Sequence, residues 1–103
     1  MSNKETDTAK EKAMGLVKKF RWIHFIEIGD TGKTKVYNCY NTEQQSFLGH
    51  VKWYSGFRKY SFFPQPNIVF ESQCLKDISL FLDQLMIERK LQKQSVLDEI
   101  KNM

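Results

Sequence analysis

With 103 residues, 41% of them hydrophobic and 14% aromatic, and a formal net charge of +4, the chain is sized for one domain with one small core. Eight Phe, four Tyr and two Trp exclude a disordered chain and allow a core to form without disulfides or metal. Two cysteines, Cys39 and Cys74, are too few for a secreted disulfide framework; the polar opening SNKETDTAKEK has no signal-type apolar run, and no stretch nears the roughly 18 apolar residues of a membrane helix, so a cytoplasmic protein with reduced thiols and no membrane contact is expected.

Residues 1–8 read as a disordered tail and residues 9–103 as a single α+β domain. Thr8-Ala9-Lys10-Glu11 fits a capping box, and Ala9, Ala13, Leu16, Val17 and Phe20 follow at helical spacing, which predicts a short helix over residues 9–19. Residues 20–28, rich in β-branched and aromatic side chains on both faces, read as a central strand, followed by a turn at residues 29–32. Lys35–Asn41 reads as a second strand, residues 42–46 as a polar loop, Phe47–Tyr54 as a third strand and residues 57–63 as a fourth. Pro64 and Pro66 end that strand because neither donates to a ladder, and residues 68–70 are a short extended piece. Ser72 is the candidate N-cap of a final helix in which Leu75, Ile78, Phe81, Leu82, Leu85 and Met86 recur at three and four residues, a core-facing stripe. The pattern runs on less strictly through Leu91, Leu97 and Ile100, giving either one long helix or a break near residues 92–95. The expected architecture is α+β: a four-stranded antiparallel meander with a long C-terminal helix packed on one face.

Charge singles out the third and fourth strands. No acid occurs between Glu43 and Glu71, whereas Lys52, Arg58 and Lys59 fall there among Trp53, Tyr54, Phe57, Tyr60, Phe62 and Phe63. If Ser55-Gly56 is a two-residue loop with glycine at positive φ, Tyr54 faces Phe57, Trp53 faces Arg58, Lys52 faces Lys59, Val51 faces Tyr60 and His50 faces Ser61. One face then carries Phe47, Gly49, Val51, Trp53, Tyr60 and Phe62 into the core, with Arg58 at its rim in a cation–π contact with Trp53. The other carries His50, Lys52, Tyr54, Phe57, Lys59 and Ser61. Opposed lysines repel, and an anionic partner reverses the sign of that interaction; exposed rings offer stacking surfaces for bases. The candidate nucleic-acid-binding residues are therefore His50, Lys52, Tyr54, Phe57, Arg58 and Lys59. The simpler reading is that the lysines solubilise the outer face and guard it against edge pairing.

Other chemistry finds little support in the residues. Gly32-Lys33-Thr34 follows a strand, but a phosphate loop needs a glycine where Glu27 stands and a helix after the threonine. His24, His50, Cys39 and Cys74 lack paired ligand spacing, so no metal or cofactor is expected, and His24 reads as a strand residue with a satisfied hydrogen bond. No nucleophile motif appears, and Glu27, Asp30, Glu43 and Glu71 form no evident acid/base pair, so a non-catalytic binding module without a small-molecule substrate is expected. The rival is a protein-binding or inhibitory module. Ile87, Leu91, Leu97 and Ile100 extend the helix beyond what so small a sheet covers and suit a homodimer or partner groove.

The run Leu48-Gly49, Trp53-Tyr54, Arg58, Tyr60, Phe62 and Pro64 resembles small uncharacterised proteins of bacteria and their phages that share LG-x-x-x-W-Y-x-x-x-R-x-Y-x-F-x-P followed by a helix. The similarity covers about residues 35–86. It implies a mobile-element origin and roles such as host take-over, defence evasion or nucleic-acid handling. In element order alone the chain is similar to single-strand DNA binders of the coactivator type, which place four antiparallel strands before a dimerising helix. Double-stranded-RNA-binding domains are a poorer match, since their basic cluster is missing from Ser72-Gln73-Cys74-Leu75-Lys76-Asp77.

Overall fold

The computed structural model describes residues 16–101, with side-chain surroundings for residues 17–93. Five strands form one antiparallel sheet: β1 (Leu16–Lys19), β2 (Ile23–Asp30), β3 (Lys35–Asn41), β4 (Phe47–Tyr54) and β5 (Lys59–Pro64), followed by one helix, α1 (Ser72–Lys101). Spatial order equals sequence order, so every neighbouring pair is a hairpin and the sheet is a plain meander with α1 on one face. The α+β class stands as expected, but the sheet has five strands where four were expected. Residues 16–19, the end of the expected first helix, pair as a strand with β2, Lys19 lying opposite His24. Gly15 weakens a helix just upstream and β-branched Val17 favours a strand, so the open edge of β2 outweighs four residues of helical spacing. Residues 1–15, including the tail and the start of that expected helix, lie outside the described residues.

β3 and β4 have the bounds read from the sequence, whereas β2 starts three residues later than expected. Phe20 N–H donates to the Ile23 carbonyl at 2.8 Å and closes the β1–β2 turn, which takes residues 20–22 out of the strand. Only Ile23, His24 and Phe25 of β2 are buried in succession, so the strand is covered on both faces at that end alone.

Helix α1 is continuous through residues 92–95. Its first free amides are satisfied by Glu71 rather than by Ser72: Cys74 N–H donates to Glu71 Oε1 at 2.6 Å and Gln73 N–H to Oε2 at 2.9 Å, while the Glu71 carbonyl accepts from Leu75 N–H at 3.1 Å. That is the geometry of an N-cap, with Ser72 as the first helical residue. These amide donors hold the Glu71 carboxyl below the usual glutamate range.

The core joins Ile23, Phe25, Tyr37, Cys39, Leu48, Val51 and Tyr60 of the sheet to Ile78, Phe81 and Leu85 of α1. Its centre is a stack of rings. Phe81 lies 4.1 Å from Phe25 in a near-parallel stack and meets Tyr37 edge-on at 5.2 Å. Leu75, expected in this stripe, is 52% exposed. The buried residues 78, 81 and 85 repeat at three and four, which places Cys74 and not Leu75 in the preceding seat. Burial pushes the Cys39 thiol up to about 12, and burial and then the neighbouring Glu71 carboxylate raise that of Cys74, so both free thiols are held protonated.

Candidate nucleic-acid interface

The hairpin register differs from the expected one by two residues. Tyr54 pairs with Lys59, Trp53 with Tyr60, Lys52 with Ser61, Val51 with Phe62 and His50 with Phe63. The loop therefore has four residues, Ser55-Gly56-Phe57-Arg58, closed by Phe57 N–H to the Tyr54 carbonyl at 3.2 Å and Arg58 N–H to the Ser55 carbonyl at 3.3 Å. The residue at positive φ is Arg58, at 55°, and not Gly56. Gly56 lies under the Tyr54 ring: a Cβ there would lie 2.7 Å from ring carbons, and the ring would have to swing away to admit it.

A slip of two preserves the side-chain alternation, so most of the expected division into faces survives. Lys52, Tyr54 and Lys59 do share the face away from the helix, but the two lysines are diagonal neighbours and not an opposed pair. Phe57 sits in the loop, 70% exposed, edge-on to Tyr54 with centroids 5.0 Å apart. Arg58 parts from the others. It lines a cleft beside Trp53 on the helix side of the hairpin. The cation over Trp53 is Arg89 from α1, 4.3 Å from the ring centroid, and Trp53's cross-strand partner is Tyr60 at 5.6 Å. The expected Trp53–Arg58 contact is thus replaced, because the register moves Arg58 into the loop while helix docking delivers Arg89.

A bulge enlarges the open face. Cys39 pairs with Gly49 and Tyr40 with Phe47, so Leu48 is the extra residue of β4. Leu48 is buried in the core, and Phe47, expected there, turns to the open face. It meets Tyr40 at 5.7 Å and His50 edge-on at 4.8 Å. Asn38 bridges these groups: its amide donates to the Tyr40 hydroxyl at 3.0 Å, and its oxygen accepts from His50 Nδ1 at 2.8 Å. His24 stacks on Tyr40 at 5.6 Å and pairs with the Thr42 hydroxyl at 3.2 Å, the satisfied strand histidine that the sequence suggests. Toward the hairpin, Phe63 lies 6.0 Å from Tyr54, and the Lys52 ammonium rests 4.7 Å above the Phe63 ring. The open face therefore carries two groups of rings, His24, Tyr40, Phe47 and His50 in one and Phe63, Tyr54 and Phe57 in the other, brought side by side by the His50–Phe63 pairing, with Lys52 and Lys59 beside the second.

The chain is 34% identical over 76 residues to an uncharacterised 9.3 kDa protein of Acholeplasma phage L2; the match spans 72% of this chain and 96% of the phage protein. The chain belongs to the family of that phage protein. No family model matches the chain, and no solved structure matches it.

The residues missed from sequence are Asn38, Tyr40, Phe47 and Phe63. The alternation in KVYNCYN already puts Asn38 and Tyr40 opposite Tyr37 and Cys39, and Phe63 stands two positions after Ser61, so three of the four carried a signal. Among the described residues no group of three His, Cys, Asp or Glu side chains is placed to hold a metal ion, and no helix is long and apolar enough to cross a membrane. Of the expected helix contacts, Ile87 and Leu91 are 60% and 61% exposed, while the side chains of Leu97 and Ile100 lie outside the described residues.

Proposed function

We propose that the protein is a non-catalytic module that binds single-stranded nucleic acid on the open face of its sheet. One observation carries the reading. The open-face positions of the paired strands β2 to β5 hold His24, Ile26, Gly29, Val36, Asn38, Tyr40, Phe47, His50, Lys52, Tyr54, Lys59, Ser61 and Phe63, and none is acidic. Rings stack on any base, contributing about 1–3 kcal/mol per base in single-strand binders. Lysines contact phosphates without reading sequence. Tyr54 and Phe57 are the stacking platforms, Lys52 and Lys59 the phosphate contacts, and His50 with Phe63 the floor between them. The Lys52–Phe63 contact is worth about 0.5–1 kcal/mol at an exposed site, little to give up for a phosphate.

The test is fluorescence anisotropy with labelled homopolymers of roughly 16 nucleotides, near the upper site size of single-strand binding folds. Binding is expected to tolerate any sequence and to weaken with salt. The Lys52→Glu, Lys59→Glu double variant is expected to abolish it, and Tyr54→Ala with Phe57→Ala to weaken it at least tenfold. Unchanged binding by the lysine variant removes the hairpin as the site.

A second reading has its own observation. Leu80, Ile87 and Leu91 are each at least 59% exposed and, at spacings of seven and four, lie along one stripe of α1. Such a stripe suits a protein partner or a second copy, and light scattering would show the latter as a doubled mass insensitive to salt.

A further inference from the structure

On the other side of the hairpin from the stacking face, the loop and α1 border an open cleft of about 480 Å³ whose surface is largely apolar, lined by Trp53, Arg58, Met86, Ile87, Arg89, Lys90 and Lys93. We propose that this cleft holds successive phosphates of the same nucleic-acid strand, so that the strand turns around the hairpin tip from the rings into the cleft. The inference rests on the reading of the open face as a single-strand platform and names where the rest of the strand goes.

Trp53, Met86 and Ile87 give the cleft an apolar floor, and among the described residues four cations and no carboxylate line it. Among the described residues none of Arg58, Arg89, Lys90 and Lys93 is ion-paired. Like charges gathered in one groove raise its affinity for a polyanion and repel anything cationic. Arg89 is already fixed: its Nη1 donates to the Lys33 carbonyl at 2.8 Å, and its guanidinium covers Trp53. One donor is thereby used, and the remaining guanidinium N–H groups keep their capacity for phosphate oxygens.

Arg58 holds φ at 55°, the left-handed region that glycine adopts freely and that Gln45 and Asn67 also take in this chain. What sets Arg58 apart from those two is its place beside three other cations. The connection between the two surfaces is short. Trp53 and Tyr54 are successive on β4 and point to opposite faces, and β5 is the edge of the sheet, with no further strand beyond it among the described residues. A strand stacked on Tyr54 and Phe57 therefore meets Arg58 as soon as it passes the loop.

A second copy is the poorer occupant. Ile87 is exposed within this same lining, and a self-contact on it would bring the lysines and arginines of two protomers together. The neighbouring cleft toward the β2–β3 turn carries Asp30 and Glu88, which is where the run of unopposed positive charge ends.

The experiment is the salt dependence of homopolymer binding. Each phosphate contact contributes about 0.7 to the slope of log affinity against log salt for single strands. The triple variant Arg58→Gly, Lys90→Ala, Lys93→Ala is expected to lower that slope by about 2 on every homopolymer, whereas Tyr54→Ala with Phe57→Ala weakens binding and leaves the slope unchanged. Arg58→Gly alone is expected to raise Tm while weakening binding, a pairing that a purely structural arginine does not give. All three side chains are exposed, and Arg89 is left in place, so folding is retained and is checked by circular dichroism. An unchanged slope in the triple variant overturns this inference and leaves the stacking face standing. Absence of homopolymer binding by the unaltered protein overturns both. A doubled mass that the triple variant abolishes or strengthens assigns the cleft to a second copy and overturns it as well.

Discussion

The two faces of the sheet use the same residue types to different ends. On the covered face, Phe25 and Tyr37 are at most 3% exposed, and Phe81 of α1, equally buried, touches the first in a stacked and the second in an edge contact. On the open face Tyr54 and Phe57 also meet edge-on, yet they are 43% and 70% exposed and are interleaved with Lys52 and Lys59. A ring whose surface is fully covered by neighbours contributes to stability; a ring that stays 43% or 70% exposed keeps surface for something else. That contrast separates fold from site more sharply than hydrophobicity does, since both faces are aromatic.

Substitutions should break the contrast in opposite directions. The largest loss of stability is expected for Phe81→Ala, which empties the centre of the ring stack and should cost about 3–5 kcal/mol in denaturant unfolding. Gly49→Ala comes next. A Cβ at that position would lie 2.5 Å from the Phe63 carbonyl oxygen and 2.7 Å from the Phe62 ring, so β4 and β5 must separate, at about 1–3 kcal/mol. Removing both Tyr54 and Phe57 loses two edge-on pairs, about 0.5–1.5 kcal/mol each beyond the area they bury, and should still cost less than Phe81→Ala while affecting ligand binding far more. If that double variant unfolds as readily as Phe81→Ala, the open face is a second core and the contrast fails.

The smallest effect concerns the start of α1. The Glu71 carboxyl is held below its ordinary range by the amides of Gln73 and Cys74. A depressed carboxyl stabilises the folded state at pH values above its unfolded pKa, and the contribution disappears as pH falls through the folded value. Acidification below the normal glutamate range should therefore fray the first turn, seen as lower protection of those two amides against hydrogen exchange relative to their intrinsic rates at the same pH. In the Glu71→Gln variant that pH dependence should be absent.

Much of this arrangement was legible in the sequence where local pattern and tertiary demand agree. β3 and β4 alternate cleanly and have the bounds their composition implies, and the stripe Ile78, Phe81, Leu85 is the buried face of α1. The face carrying His50, Lys52, Tyr54 and Lys59 was readable even though the loop was misjudged, because a slip of two residues keeps every strand residue on its side. Bulges and end effects were not readable. Leu48 and Phe47 exchange faces through one extra residue, which no period-two pattern reveals. Residues 16–19 carry helical spacing yet pair with β2, a contact that only the assembled sheet offers. Glu71 caps α1 although serine, the commoner cap, stands beside it. The basic cleft was hidden for the plainest reason: Trp53 and Arg58 lie 31 to 40 residues from Arg89, Lys90 and Lys93, and only docking of α1 on the sheet brings them together.

The most direct test is a titration of the isotopically labelled protein with a single-stranded homopolymer, followed by amide and aromatic chemical shifts. The account predicts perturbations at His50, Lys52, Tyr54, Phe57, Lys59 and Phe63, extending to Arg58, Lys90 and Lys93, with Phe25 and Phe81 unmoved. Perturbations confined to Leu80, Ile87 and Leu91, or no perturbation at low salt, would contradict it.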